Sequence, residues 1–182
     1  MKKILLLLLI ISQNLFSQDH EFKLSQKIDS IATINGRYGI SEGKIETKNR
    51  KGIILGTGGF SYQTFVNYTD NEVYENLSRV EKQKHRRKSE LVKGHFHQVL
   101  HNTNSYTENI DSDFYYQNNE LIYVKIKIIR SKKEKKDQIQ YFEYNLKRDN
   151  IENEKYLKNE FLFEYRSFIR EKNKKIVDLY NN

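Results

Sequence analysis

The chain has 182 residues, 13 of them tyrosine and 10 phenylalanine, and contains no cysteine, proline or tryptophan. Without cysteine, disulfides and thiol catalysis are excluded, and without proline the turns fall to Asn, Asp and Gly. With 32 Lys+Arg against 24 Asp+Glu the formal net charge is +8, a balance that favours acidic partners.

The opening stretch MKKILLLLLIISQNLFS begins basic at Lys2 and Lys3 and is apolar from Ile4 to Ile11. Ser12, Gln13 and Asn14 return to polarity, and Ser17 is a small residue at which cleavage can occur. This is the layout of a secretory signal peptide. The apolar run is too short to span a bilayer, which takes about 20 residues. The expectation is a leader over residues 1–17, cut after Ser17 or Gln18, with no transmembrane anchor left behind. Residues 18–182 then form one domain, exported to the periplasm or beyond. Losing Lys2 and Lys3 lowers the excess charge from +8 to +6. Export disfavours nucleic acid as the partner of that charge.

Glu21 to Asn35 predicts a helix, with Leu24, Ile28, Ile31 and Ala32 on one apolar face. Gly36 and Gly39 end it, and Ser41 to Lys51 reads as a polar loop. Gly52 opens a strand-rich region. Phe60, Tyr62, Thr64, Val66 and Tyr68 alternate with Ser61, Gln63, Phe65 and Asn67, the period of a two-faced strand. Thr69 to Glu72 reads as a turn, Val73 to Glu81 as a weaker strand and Lys82 to Ser89 as a basic loop. Leu91 to His101 predicts a strand with Val92, Phe96 and Leu100 on one side. Asn102 to Asp113 is polar and reads as a long loop.

A hairpin follows, from Phe114-Tyr115-Tyr116 through Gln117-Asn118-Asn119-Glu120 into Leu121 to Arg130. Ile122, Val124, Ile126 and Ile128 share one face, and Tyr123, Lys125 and Lys127 the other. After a charged loop, Ile139 to Leu146 predicts a strand with Phe142, Tyr144 and Leu146 inward. Lys147 to Lys155 reads as polar connection. Phe161, Tyr165, Phe168, Ile169, Ile176, Leu179 and Tyr180 then mark the stripe of a long C-terminal helix. The order predicts an α+β domain: an antiparallel meander with the N-terminal and C-terminal helices packed on one of its faces.

The stretches DFYYQNNELIYVKIKI and IDSIATIN resemble a pattern found in small exported bacterial proteins. In these an early helix, an aromatic-pair hairpin with an LI-x-V strand and a closing amphipathic helix recur. The resemblance implies a fold and carries no activity. A YYDNG-type repeat is set aside, because the repetition and the glycine are missing.

Two constellations could carry function. In GHFHQVLH, His95, His97 and His101 share a strand face. His95 and His97 lie about 6.8 Å apart at about 3.4 Å per residue, close enough to meet one metal ion. His101 is about 20 Å from His95 by the same rise. Zinc takes three or four ligands, so others would come from Glu90, Asp111, Asp113 or a facing strand. The plainer reading is a set of solvated polar residues, and a third is a patch that gains charge near an imidazole pKa of about 6.5.

The second constellation is basic. Lys84, Arg86, Arg87 and Lys88 crowd one loop, and Lys132 and Lys133 open another. With Tyr123 and Tyr141 on the sheet, they suit an envelope or extracellular protein or an acidic glycan. Simple solvation of hairpin tips is the plainer reading. No nucleophile elbow or phosphate loop is present: Gly56-Thr57-Gly58-Gly59 lacks the Lys-Ser/Thr ending and reads as a bulge or turn. Asp111 and Asp113 could pair as catalytic carboxylates, but read as loop residues. The sequence therefore points to a non-enzymatic binding protein without a cofactor, and a metal protein centred on His95 and His97 is the alternative.

Overall fold

The computed structural model describes residues 25–30, 37–102, 106–132, 135–146, 150–156 and 164–182. Residues 1–17, expected to form a leader, the flanks of the first helix and Lys133 lie outside these. Among the described residues seven strands run in chain order: β1 (Arg37–Lys48), β2 (Ile54–Tyr68), β3 (Ser89–Asn102), β4 (Tyr106–Gln117), β5 (Glu120–Lys132), β6 (Gln138–Asn145) and β7 (Asn150–Tyr156). Each pairs antiparallel with the next, giving one sheet in the order β1 to β7. Helical residues 25–30 (α1) precede the sheet, α2 (Asn71–Glu75) and α3 (Arg79–Lys84) sit between β2 and β3, and α4 (Tyr165–Asn181) closes the chain. The α+β meander is as the sequence reads.

The core follows from alternation. Phe96, Ile110, Phe114, Val124, Ile126, Ile128, Phe142 and Tyr144 face α4, whose Ile169 and Ile176 are buried against them. Ile176 lands on Gly94, where a Cβ would come within 2.5 Å of its Cγ2. The missing side chain lets the helix sit directly on β3. In the middle of the helix two polar residues turn inward and are satisfied there. Asn173 accepts a 2.7 Å hydrogen bond from the Tyr116 hydroxyl, and the Lys172 ammonium lies 4.5 Å from the centre of the Phe96 ring. The turn between β4 and β5 is a two-residue hairpin with Asn118 and Asn119 at φ 54° and 62°, the left-handed pair that asparagine tolerates.

The helices occupy opposite faces, which corrects their expected placement on one. Ile28 of α1 packs with Tyr115, Ile122 and Tyr123 on the face away from α4. Phe114-Tyr115-Tyr116 explains why: consecutive strand residues point to opposite faces, so three buried aromatics in a row need cover on both. Ile122 also leaves its expected companions. A bulge between Tyr115 and Tyr116 gives β5 one extra residue, and Ile122 joins Tyr123 on the α1 side.

Polarity misled elsewhere. Ser41 to Lys51, Asn102 to Asp113 and Lys147 to Lys155, all read as connections, contain most of β1, the first part of β4 and most of β7. β1 lies at a sheet edge, where charged residues are common, and β4 turns its polar positions to a polar sheet face. Val73 to Glu81, read as a strand, instead holds α2 and the start of α3, and Val73 and Val80 are exposed. Ser78 and Glu81 form a capping box that starts α3. The Gly56-Thr57-Gly58-Gly59 stretch is no turn but runs inside β2. There a Cβ on Gly58 would fall 1.9 Å from the Val99 carbonyl oxygen.

Ile176→Ala should lower stability by about 2–5 kcal/mol, and Gly94→Ala by about 1–3 kcal/mol through overpacking. Because Ile176→Ala opens space that the Gly94→Ala methyl partly fills, urea unfolding of the double variant should show a loss smaller than the two single losses added together.

Candidate functional site

The α1 side of the sheet beyond Tyr115 and Tyr123 is polar, and strand register sets its side chains in rows. His97 stands opposite Asp111, followed by Lys127 and Tyr141. His95 stands opposite Asp113, followed by Lys125 and Glu143. His95 Nδ1 is 2.9 Å from Asp113 Oδ1, and His97 Nδ1 is 3.1 Å from Asp111 Oδ1. Asp111 also lies 3.6 Å from His95 Nε2. An ionised carboxylate only accepts, so each Nδ1 carries the proton it donates.

Lys93 extends this network toward α1. Its ammonium is 3.2 Å from Asp113 and donates a 2.7 Å hydrogen bond to Asp29 of α1. The Tyr115 hydroxyl donates to both oxygens of the same Asp29 carboxylate at 3.1 Å, and Lys125 lies 3.7 Å away. Burial alone would raise the Asp113 pKa, but the His95 hydrogen bond and the Lys93 charge outweigh it and hold the carboxyl below its ordinary value. Burial, reinforced by the charges of Asp113 and Asp29, pushes the Tyr115 phenol far up. Tyr141 is raised by burial and by the 2.6 Å hydrogen bond it donates to Glu143.

These contacts bear on the histidines. His95 and His97 do share a face, and the expected acidic neighbours Asp111 and Asp113 do face them. Both carboxylates, however, are engaged in the cross-strand pairs. His101 is exposed and bonded to Thr107 at 3.1 Å. Among the described residues no group of three or more His, Asp or Glu could hold a metal ion. The arrangement makes an ordered charge ladder that fastens α1 to the sheet.

The basic residues split into two places. Tyr68 pairs with Ser89 at one end of the sheet, while Asn102, Tyr106 and Lys132 align at the other. Thirteen steps along β3 separate them, about 44 Å at about 3.4 Å per residue. Lys132 therefore cannot join Lys84, Arg86, Arg87 and Lys88 in one patch. Tyr123 is 1 % exposed and packs under Ile28, so it offers no surface to a partner.

The first basic cluster is built around a residue that the sequence did not single out, Asp70. Its Oδ2 accepts a 2.7 Å hydrogen bond from His85 Nε2 and a 2.9 Å bond from the Lys88 backbone N–H. These bonds, the backbone one foremost, hold its pKa below the ordinary value. The Arg87 guanidinium lies over the rings of Tyr68 and Tyr74, 3.8 and 4.3 Å from their centres. It also donates to the Asn71 side chain and stands 3.7 Å from Asp70. Arg87 is thus a fixed strut. Lys84, Arg86 and Lys88 are exposed and without side-chain partners among the described residues. Arg86, Arg87 and Lys88 line a cleft of about 270 Å³ with Ser89, Tyr180 and Asn181. The Tyr180 hydroxyl closes one wall through a 2.6 Å bond to the Ser89 carbonyl. The signal that could have located this site is Ser78-Arg79-Val80-Glu81, whose capping spacing marks a helix in what reads as strand and loop.

A carboxyl whose pKa is lower in the folded state stabilises the fold above its unfolded value and gives this up as pH falls through the folded one. Wild-type stability should therefore decline as pH drops below about 4, in part through Asp113. Asp113→Asn should be less stable at neutral pH and should flatten that acid limb, which urea unfolding across a pH series would measure. No family model, curated protein or solved structure matches the chain.

Proposed function

We propose that the protein is an exported, non-enzymatic binding protein that holds an acidic glycan at the cleft of Arg86 and Lys88. One observation carries this reading: two unpaired cations stand on either side of an arginine already fixed by two tyrosine rings and an aspartate. A loop held in place in advance loses little freedom on binding, and this raises affinity without new contacts. Carboxylate or sulfate groups spaced along a glycan match the alternation of mobile and fixed charge. An acidic envelope protein presents similar groups and is the competing outcome.

Retention on heparin resin tests the reading. Wild-type protein should stay bound at about 0.3 M salt, well above the point where screening over about 8 Å removes generic attraction. Arg86→Ala/Lys88→Ala should elute near about 0.15 M, whereas Lys132→Ala, at the far end of the sheet, should elute with wild type. Equal effects of the two variants would leave only net charge. Saturable capture of an acidic envelope protein with no glycan retention would favour that partner instead.

Export rests on the leader-like residues 1–17. Among the described residues no helix is long and apolar enough to cross a membrane. Mass spectrometry of protein from envelope and medium fractions should find an N-terminus at Gln18 or Asp19. A chain that keeps Met1 and stays in the cytoplasm would sink this part.

A further inference from the structure

On the α4 side, the sheet is not fully covered. A groove of about 620 Å³ runs between the helix and strands β1 to β3, within the range of small-ligand sites, about 300–1,000 Å³. Ile45, Phe60, Tyr62 and Phe96 form its floor, and Glu171, Lys175 and Asp178 stand on the helical wall. Phe60 does not stand upright. The end of its ring lies over Gly43, where a Cβ would be 2.5 Å from Cζ, so the glycine lets the aromatic ring spread along the floor. Tyr62 meets Phe60 edge-on at 5.6 Å and Phe96 at 4.8 Å, which makes the aromatic surface continuous.

Several polar groups around this floor are unspent. Tyr62 is 6 % exposed, yet its hydroxyl has no hydrogen-bond partner among the described residues. That oxygen is not sealed from solvent and opens on the groove as an available donor and acceptor. Gln98, Lys175 and the Asp178 carboxylate, which also line the groove, are likewise without side-chain partners among the described residues. Glu171 is engaged with Lys172 at 2.9 Å.

Ligand classes differ in how they meet this set. A hydrocarbon would cover the rim groups and leave them unpaired. An anion would be drawn to Lys172 and Lys175 and repelled by Glu171 and Asp178, so the charge-balanced rim gives it no net preference. A sugar ring offers an apolar C–H face to the aromatic floor, and its hydroxyls both donate and accept. It can therefore answer the Tyr62 phenol, the Gln98 amide, the Lys175 ammonium and the Asp178 carboxylate together. The geometry points to this groove as a second binding site, one for an uncharged oligosaccharide, separate from the basic cleft.

Titration calorimetry and NMR with maltotriose, cellotriose and tri-N-acetylchitotriose at millimolar concentration test the assignment. At least one trisaccharide should bind and shift tyrosine ring resonances. Tyr62→Phe keeps the ring and removes only the hydroxyl, and should weaken binding about fivefold, the value of one hydrogen bond. Lys175→Ala, on the exposed side of the helix, should weaken it by a similar factor without unfolding the chain. Arg86→Ala/Lys88→Ala should leave trisaccharide affinity unchanged, so this site and the basic cleft stand or fall separately. Absence of binding by all three sugars would overturn the assignment. So would binding that ignores both groove variants, or binding that is lost with the basic-cleft variant.

Discussion

Three consecutive aromatic residues on a central strand set the architecture. Phe114, Tyr115 and Tyr116 are each at most 1 % exposed, and the pleat sends the middle ring to the face opposite its neighbours. A sheet solvated on one side could not hide all three. Both helices follow from this demand: α4 covers Phe114 and Tyr116, and α1 covers Tyr115. The polar contacts follow as well. A tyrosine brought under α1 needs a partner for its hydroxyl, Asp29 supplies it, and that carboxylate in turn gathers Lys93 and Lys125.

Much of this was legible from residue patterns. The hairpin at Gln117 to Glu120, the stripe of α4 and the shared face of His95 and His97 all follow from periods of two and 3.6. What failed did so for physical reasons. Composition identifies loops poorly when a strand carries its polar residues on a polar face, as β4 does with Asp111 and Asp113, or when it lies at an edge, as β1 does. A bulge breaks the alternation, and no local signal announced the one that parts Ile122 from Val124, Ile126 and Ile128. The basic residues were visible as a cluster, but their division between two ends of the sheet is a property of register. Asp70 was hidden because its importance comes from Lys88, His85 and Arg87, eighteen or fewer positions away and folded back around it.

The two faces of the molecule treat charge differently. Beneath α1, histidines, aspartates and lysines pair across strands and leave few charges free to select a ligand. On the α4 side and at the β2–β3 connection, cations and hydroxyls remain unpaired beside aromatic rings. Recognition favours groups that are ordered but not yet spent. The charge ladder, the most conspicuous motif in the sequence, is in this respect the more internally satisfied surface.

The strictly sequential pairing of β1 to β7 bears on how the chain reaches this state. Every strand finds its partner next door, so hairpins can form one after another, a favourable topology for a β-rich protein, although the β2–β3 connection is longer and carries α2 and α3. Two joining steps are long-range: α1 must reach Tyr115 and Tyr123, and the 17-residue α4 must return to β1, β2 and β3. It is α4 that seals the larger core. Until it arrives, the face carrying Phe96, Phe114 and Ile126 stays open to other chains.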